Sequence, residues 1–203
     1  MRSVFTRIYR DRRWEEGESA SGPGSDLEQT VALRRELPAL LAELEVRTLL
    51  DAACGDFHWL KEVDLPIERY YGVDIVEEVV ERNRERYGGE GREFLLLNLA
   101  VDRLPRADAI LCRDCLVHLR FGDIARAMAN FRRSGARFLL ATTFAERETN
   151  EELEARGLWR PLNLRRPPFN FPPPERLIDE GCTLAGGAYR DKRLGVWRLE
   201  RLP

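Results

Sequence analysis

A glycine and an aspartate follow two predicted strands at a spacing that would let them bind a nucleoside together. The segment DAACGDF (51–57) ends the first strand, and Asp74 ends the second strand, nineteen positions after Gly55. In a doubly wound sheet, the loop after the first strand lies beside the end of the second. Gly55 lets the backbone approach a ligand closely, and the Asp74 carboxylate can accept hydrogen bonds from two ribose hydroxyls. The alternative is that these acids only cap turns, but their spacing around a glycine favours a nucleoside ligand.

A second polar segment, CRDCLVHL (112–119), follows the fourth predicted strand. Ligands of open α/β sheets bind outside the carboxyl ends of the strands, so this segment should face the same ligand. The imidazole of His118 could remove a proton from a bound hydroxyl or amine, and Asp114 could do the same or orient the bound group. The alternative for His118 is a packed or hydrogen-bonded side chain in the pocket wall.

Two of the four cysteines, Cys112 and Cys115, have the spacing of a metal-binding pair. A zinc site would also have to recruit Cys54 and His118, whereas structural zinc sites usually combine two short-spaced pairs. We therefore expect no metal. Four cysteines are also too sparse for a disulfide scaffold, so the thiols should be reduced.

The central part of the chain alternates between short apolar runs and amphipathic segments. This pattern is typical of parallel strands that are covered by helices on both faces of a sheet. The predicted strands are 48–53, 70–74, 94–97, 109–112 and 138–141, and the predicted helices between them are 57–63, 76–87 and 121–134.

The two ends of the chain have different patterns. Residues 1–25 end in Gly and Pro and predict an irregular arm, after which Ser25 is expected to cap a helix that continues to residue 44. Residues 159–174 are rich in proline and aromatic side chains. A short helix is predicted at 175–180, followed by a hairpin over 182–202.

The motifs of the central segment resemble those of class I S-adenosylmethionine-dependent methyltransferases. The first motif of that class is acidic-x-Gly-x-Gly-x-Gly, and its second strand ends in an acidic residue. The resemblance covers about 46–145, and SGPGS, DAACGDFHWL, YYGVDIVEEVV, LCRDCLVHL and WRPLNLRRPPFNFP are similar to a bacterial group within the class. The chain departs from the first motif at Ala53 and Phe57, so that only Gly55 of the three glycines remains.

The resemblance implies an α/β fold, a Rossmann-like doubly wound, mostly parallel seven-stranded sheet with an antiparallel C-terminal hairpin. It also implies S-adenosyl-L-methionine as the cofactor. Asp51 would organise the loop and the amino group of the cofactor, Asp74 would hold the ribose, and Asn98 would lie near the adenine. The cofactor-binding residues expected on this basis are Asp51, Ala53, Cys54, Gly55, Asp56, Asp74, Ile75, Asn98, Leu99 and Arg113.

A methyl-transferring enzyme needs side chains that orient the acceptor and exclude water. We expect His118 and Asp114 to be the catalytic residues. The N-terminal arm and the loop 159–174 could close over the acceptor, and the arginines of that loop could bind a carboxylate or phosphate or else remain solvated. The expected substrate residues are Trp14, Ser21, Trp159, Arg160, Asn163, Arg165 and Phe169.

The length of the chain is typical of one domain, expected over 1–203. Within it we assign an arm and capping helix to 1–45, the cofactor-binding core to 46–145, a substrate loop and short helix to 146–180, and the hairpin to 181–203. The oligomeric state is left open.

The chain has 33 basic and 35 acidic side chains, a net charge of −2. This balance gives no general attraction to nucleic acid. The sequence has no apolar run of membrane-spanning length and no secretory signal pattern, so neither membrane nor export is expected and the predicted location is cytoplasmic.

The sequence therefore predicts methyl transfer from S-adenosylmethionine to a small-molecule or glycan acceptor. Two alternatives stay open, namely a protein that binds S-adenosylmethionine without methyl transfer and a nucleic-acid methyltransferase. Polar groups after the fourth strand argue against the first. A nucleic-acid methyltransferase is expected to have a separate basic domain or an Asn/Asp-Pro-Pro-aromatic type of motif after that strand, and the sequence has neither.

Overall fold

A computed structural model describes all 203 residues and contains one mixed sheet of seven strands. In chain order the strands are β1 Thr48–Ala52, β2 Arg69–Asp74, β3 Arg92–Leu96, β4 Ala109–Cys112, β5 Phe138–Phe144, β6 Arg176–Asp179 and β7 Lys192–Arg198. Their spatial order is β3-β2-β1-β4-β5-β7-β6, with β1 to β5 parallel and β7 antiparallel to both of its neighbours. The predicted fold class is confirmed, because the sheet is mostly parallel and ends in an antiparallel C-terminal pair.

Five α-helices and several single 3₁₀ turns connect the strands. The helices are α1 Arg2–Arg10, α2 Val31–Glu43, α3 Glu77–Tyr87, α4 Phe121–Arg133 and the short α5 Leu184–Gly187. None of them combines the length and the apolar character that crossing a membrane requires.

The sheet has an apolar core on each face, because neighbouring residues of a strand point to opposite sides. On one face, Leu50 and Ile110 belong to the core that contains the apolar side of α4. On the other face, Leu49 and Leu111 pack in the core that contains the leucines of α2 and Val80 of α3. Helices on both sides explain why the central strands β1, β4 and β5 are buried at nearly every position rather than at alternate ones.

The central elements lie close to their predicted positions. The five parallel strands match the predicted apolar runs to within three residues at each end, and α3 and α4 differ from the predicted 76–87 and 121–134 by one residue. The predicted helix at 57–63 is wrong. Only the 3₁₀ turn Leu60–Glu62 forms there, after Phe57, whose φ of 59° is incompatible with a continuous helix.

The N-terminal prediction needs two corrections. Residues 2–10 form helix α1 rather than an irregular arm, and Met1 and Phe5 pack against the core while Ile8 is buried. The next long helix begins at Val31 after a 3₁₀ turn, so Ser25 does not cap it. A short helix such as α1 is marginal in isolation, and its docking on the domain provides most of its stability.

The C-terminal elements are also shifted from their predicted positions. The segment expected as a helix at 175–180 forms strand β6, whose Ile178 is buried while its neighbours face solvent. The hairpin therefore pairs β6 with β7 and not two strands within 182–202, and α5 lies in its connection.

Candidate active site

A cavity opens at the carboxyl edge of β1, β2 and β4, where the polar motifs converge. Sixteen of the 25 residues in its wall are hydrophobic. Of the ten residues expected to bind the cofactor, all except Asp56 line this cavity, namely Asp51, Ala53, Cys54, Gly55, Asp74, Ile75, Asn98, Leu99 and Arg113.

Asp74 ends β2 and fixes the loop after β1. One of its carboxylate oxygens accepts a hydrogen bond from the backbone N–H of Gly55 at 3.1 Å, and the other accepts one from the N–H of Val76 at 2.9 Å. The side chain is 8% exposed, and its burial raises the pKa of Asp74. Each carboxylate oxygen can accept more than one hydrogen bond, so Asp74 can hold this loop and still accept from hydroxyl groups in the cavity.

Asp51 is a second buried carboxylate in the cavity wall. The hydroxyl of Tyr70 donates to its Oδ2 at 2.7 Å. Burial raises the pKa of Asp51 to about 7, and the neighbouring negative charge of Asp74 adds to the rise. No arginine or lysine forms an ion pair with Asp51, so a cationic ligand group placed against it would favour the carboxylate form.

Asn98 lies in the wall of the cavity after β3. Its Oδ1 accepts the backbone N–H of Ala100 at 3.1 Å, and its own backbone N–H donates to Asp102 at 2.8 Å. Its amide Nδ2 has no partner within the protein. Beside the apolar side chains of Ile75 and Leu99, Asn98 therefore offers an N–H donor as well as the oxygen expected from the sequence.

Asp56 does not line the cavity, and its carboxylate holds the N-terminal segment instead. It accepts hydrogen bonds from Ser19 Oγ at 2.9 Å, from the backbone N–H of Ala20 at 2.8 Å and from Ser21 Oγ at 3.1 Å. The expected cofactor-binding role of Asp56 is therefore replaced by a role in anchoring the arm, because its oxygens are directed at residues 19–21. Gly55 is needed here, since a Cβ at this position would clash with Ser21 Oγ.

The N-terminal segment covers the cavity, as the sequence led us to expect, but the helix α1 that forms part of this cover was not predicted. Met1, Phe5 and Tyr9 of the α1 region line the wall together with the expected Trp14 and Ser21. The aromatic and apolar spacing within residues 1–14 was the available signal, but it does not indicate which surface the helix docks on.

His118 lies in the 3₁₀ turn after β4 and lines the cavity beside Trp14. Its Nδ1 is 3.1 Å from the carbonyl oxygen of Leu158, and because a carbonyl can only accept, Nδ1 carries the proton and Nε2 has the free lone pair. The ring packs against the Trp14 indole with 4.3 Å between centroids. Burial lowers the pKa of His118 to about 4, so the imidazole is neutral near pH 7.

Asp114 belongs to a buried group of charges that sequence reasoning identified only in part. Its Oδ2 lies 2.5 Å from Lys192 Nζ and 3.4 Å from Arg113 Nη1. Glu180 pairs with both of these cations, at 2.7 Å from Arg113 and 3.2 Å from Lys192. Burial favours protonation of Asp114, but the positive charges of Lys192 and Arg113 outweigh it and lower its pKa overall.

Arg113 lines the cavity, but its guanidinium is already occupied. It donates to Glu180 and, at 2.7 Å, to the backbone carbonyl of Gly24. Arg113 thus connects strand β4 to the N-terminal segment and to the residue after β6. Glu180 and Lys192 were not predicted as neighbours of Asp114. The predicted helix at 175–180 and hairpin over 182–202 did not place these two residues at the end of β4.

Among the expected substrate residues of the 159–174 loop, only Trp159 lines a cavity, which adjoins the first one. Arg160 is buried and donates to the carbonyls of Leu116, Val117 and Leu119, so it holds the turn that carries His118. Burial lowers the pKa of Arg160 to about 10. Its role is therefore to position this turn, since its N–H groups point away from both cavities.

The other three expected substrate residues also lie outside the cavities. Asn163 donates from its amide to the carbonyls of Ala145 and Arg147 and fixes the loop. Phe169 packs in the core against Phe121, and Arg165 is exposed to solvent. The structure does not support the expectation that these three side chains contact a substrate. Asn163 and Phe169 contact other parts of the protein, and Arg165 faces solvent.

The cysteines do not form a ligand set. Cys112 and Cys182 are buried, and all four thiols are free. No three histidine, cysteine, aspartate or glutamate side chains are grouped closely enough to hold a metal ion.

Residues 50–137 match the family model described as a methyltransferase domain. No curated protein has a sequence that matches the chain significantly. The matched segment begins in β1 and ends just before β5, so it includes every strand end that carries the polar motifs.

Solved structures with the same fold include several methyltransferases. The 1,6-didemethyltoxoflavin-N1-methyltransferase of Burkholderia thailandensis, with bound 1,6-didemethyltoxoflavin and S-adenosylhomocysteine, is 21% identical and has a TM-score of 0.61 over 97% of this chain and 86% of that one. The N-methyltransferase NodS from Bradyrhizobium japonicum WM9, in complex with S-adenosylhomocysteine, is 14% identical, with a TM-score of 0.54 over 68% of this chain and 74% of that one. The methyltransferase domain of bacterial CtHen1-C is 19% identical, with a TM-score of 0.50 over 58% of this chain and 66% of that one, so the match spans just under two thirds of its length.

At sequence identities this low, the structural similarity establishes the fold alone. Residues 50–137 are thus similar to a methyltransferase domain, and the sheet has the Rossmann-like arrangement seen in methyltransferases that use S-adenosylmethionine.

Proposed function

We propose that this protein transfers a methyl group from S-adenosylmethionine to a small-molecule acceptor. One observation carries the proposal: the cavity that contains Asp51, Asp74 and Asn98 adjoins a second cavity, and Asp114 and His118 line both of them. A cofactor in the first cavity and an acceptor in the second would therefore meet at these two side chains.

The residues of the first cavity fit S-adenosylmethionine. Asp74 has free acceptor capacity for ribose hydroxyls, Asn98 and the apolar Ile75 and Leu99 suit an adenine, and the buried carboxylate of Asp51 suits the amino group of the methionine part. When bound, the cofactor would supply an electrophilic methyl group, whose S–C bond breaks as an acceptor lone pair attacks, with the bonding electrons left on the sulfur.

The protein's own residues would position the acceptor and exclude water. His118 can accept a hydrogen bond at Nε2, and Asp114 can accept one as a carboxylate. With its pKa lowered to about 4, His118 is a weak base, which favours positioning of an already nucleophilic acceptor over proton removal. These polar groups at the shared wall also favour methyl transfer over cofactor binding alone.

The small-molecule class of acceptor rests on the size of the second cavity, about 460 Å³, and on its lining by the N-terminal segment and Trp159. A protein of the same fold, the 1,6-didemethyltoxoflavin-N1-methyltransferase of Burkholderia thailandensis, holds the small molecule 1,6-didemethyltoxoflavin. A short glycan could also enter such a cavity, whereas a nucleic-acid acceptor would require an open basic surface, which the net charge of −2 does not favour.

Calorimetric titration with S-adenosylmethionine and S-adenosylhomocysteine tests the cofactor. We expect one-to-one binding that weakens about 10- to 100-fold in Asp74→Asn, because a charge-assisted acceptor for the ribose is lost. The exposed Asp64, which has no side-chain partner, provides the matched control Asp64→Asn. Absence of binding by the wild-type protein would contradict the proposal.

Methyl transfer itself is tested with cofactor labelled in its methyl group. The protein and the labelled cofactor are incubated together in three mixtures, which contain a metabolite extract, an oligosaccharide fraction or total RNA. Label in the metabolite fraction supports the proposal, whereas label only in oligosaccharide or RNA assigns a different acceptor class.

A further inference from the structure

The second cavity has a composition that specifies what it can bind. It has a volume of about 460 Å³ and lies between the N-terminal segment and the loops that follow β5 and precede β7. The residues common to both cavities are Trp14, Ser21, Ser25, Asp114 and His118.

One side of this cavity is a corner of three aromatic rings. Trp159 and Tyr189 meet edge to face with 4.7 Å between centroids, and Phe144 meets them at 5.8 and 6.0 Å with nearly perpendicular ring planes. Phe144 is 1% exposed, whereas Trp159 is 39% exposed, so the indole presents a large surface that no side chain covers. Aromatic rings prefer edge-to-face or offset-stacked partners, and a planar ring can supply either one.

A second pair of rings also lines the cavity. The Trp14 indole lies at 30° to the His118 ring, with 4.3 Å between centroids. Five of the residues that line the cavity therefore carry aromatic rings, namely Trp14, His118, Phe144, Trp159 and Tyr189.

The polar end of the cavity selects for a hydrogen-bond donor. Asp114 Oδ2 is paired with Lys192, but no group of the protein donates a hydrogen bond to Oδ1. Two cations and two carboxylates make up the buried charge group, so it is neutral as a whole and gives little attraction to a ligand anion. An O–H or N–H of the ligand would satisfy Oδ1.

We propose that the second cavity binds a planar aromatic acceptor whose hydroxyl or amine donates a hydrogen bond to Oδ1 of Asp114. This inference rests on the proposed methyl transfer and defines its acceptor. A saccharide could also stack on an indole, but its several hydroxyls need several polar partners, and the aromatic corner offers only the Tyr189 hydroxyl and the Trp159 indole N–H.

The test uses four probes on protein saturated with S-adenosylhomocysteine. The probes are 2-naphthol, its methyl ether 2-methoxynaphthalene, its saturated analogue 2-decalol, and methyl β-glucoside. Calorimetry and quenching of tryptophan fluorescence measure their binding. We expect 2-naphthol to bind at least about tenfold more tightly than each of the other three, because only it combines a planar ring with a donor.

Variants then assign the contacts. Trp159→Ala should weaken 2-naphthol binding at least about tenfold, and Tyr189→Leu gives a second test of the corner should the first variant fold poorly. Leu177→Ala removes an exposed apolar side chain on β6, outside the cavity, and should bind 2-naphthol like the wild-type protein. Asp114→Asn should reduce the preference for 2-naphthol over its methyl ether, since the amide is a weaker acceptor than the carboxylate.

The outcomes separate this inference from the proposed function. Tight binding of S-adenosylhomocysteine without preference for 2-naphthol, or equal binding of 2-decalol or the glucoside, overturns the aromatic acceptor and leaves methyl transfer intact. Binding of 2-naphthol without any binding of S-adenosylhomocysteine overturns the proposed function and retains the cavity assignment. Aniline and phenol, compared in the same way, distinguish an N–H from an O–H donor.

Discussion

Asp51 and Asp74 are both buried carboxylates in the wall of the first cavity, but their different surroundings favour different ligand groups. Asp74 accepts two backbone N–H bonds, so its negative charge is partly compensated within the loop that it organises. Asp51 receives only the Tyr70 hydroxyl, and the pKa of its carboxyl is raised to about 7 by burial. Asp51 is therefore the carboxyl whose charge state should respond to a cationic ligand.

The affinity for S-adenosylhomocysteine should depend on pH through Asp51. An ammonium group beside Asp51 favours the ionised carboxylate, so binding is accompanied by loss of its proton whenever the pH is below about 7. Between pH 6 and 7.5 the dissociation constant should fall by roughly five- to tenfold, as measured by calorimetry. Asp51→Asn should remove most of this slope, whereas Asp64→Asn should keep it. An unchanged slope in Asp51→Asn would place the amino group elsewhere.

His118 should reveal its lowered pKa through stability, without any need for a known acceptor. Its pKa is about 4 in the folded protein and near 6.5 when unperturbed. When the pH falls below 6.5 the unfolded chain takes up a proton that the folded chain does not, so the folded state loses stability down to about pH 4. In the opposite direction, stability rises with pH through this window.

The comparison of wild type with His118→Gln isolates this contribution from other titrating groups, Asp51 included. As the pH is lowered from 7 to 4.5, the wild-type protein should lose free energy of unfolding relative to the variant, as measured by urea unfolding at each pH. A difference that stays constant over this range would mean that His118 titrates normally.

At the level of elements, the N-terminal segment packs against the loop after β1 and is hydrogen-bonded to it. Asp56 holds residues 19–21, and Arg10 of α1 pairs with Glu78 of α3. Gly55 has a φ of 53° and leaves no room for a Cβ beside Ser21. The glycine is therefore needed for the approach of the arm as well as for the approach of a ligand.

Gly55→Ala should loosen this contact. The substitution combines a strained positive φ with a clash against Ser21, so we expect the free energy of unfolding to fall by at least about 1 kcal/mol and cleavage within residues 11–25 to become faster in limited proteolysis. Gly89→Ala is the control, because a Cβ at Gly89 meets nothing within 4 Å, and its effect should be within about 0.5 kcal/mol. Equal effects of the two substitutions would rule out a specific role for the Ser21 contact.

The elements that could be predicted from sequence are those whose pattern is set by local burial. β1, β4 and β5 are buried at nearly every position because both faces of the sheet are covered, and the apolar runs that this burial requires are visible without knowledge of their neighbours. The helix α1 and the strand β6 depend on what they dock against. Their short segments carry too few periodic positions to distinguish a helix from a strand or from an irregular arm.

The same distinction applies to the candidate site. The grouping of residues in the first cavity could be predicted because they follow consecutive parallel strands at a recognisable spacing, whereas their binding of a cofactor stays a prediction. Lys192 and Glu180 come from opposite ends of the connection between β6 and β7, and only the antiparallel order of the sheet brings them to Asp114. No sequence spacing encodes that approach.

At the scale of the whole molecule, both ends of the chain converge on the β4 edge. Arg113 donates to the carbonyl of Gly24 in the N-terminal segment and to Glu180 near the C-terminal hairpin. Trp14 packs on His118 from the same side. The first cavity is therefore bordered by segments that lie outside residues 50–137, so ligand binding should stabilise the entire fold.

S-adenosylhomocysteine should raise the melting temperature of the protein. A ligand that binds only the folded state at 100 times its dissociation constant adds about 2.7 kcal/mol, which corresponds to roughly 5–10 °C for a domain of this size. Asp56→Ala removes the acceptor for residues 19–21, and Asp56 itself does not line the cavity, so the variant should keep the fold but show a smaller temperature shift at the same ligand concentration. Asp64→Ala should retain the full shift. A full shift in Asp56→Ala as well would show that ligand binding does not depend on the hydrogen bonds between Asp56 and residues 19–21.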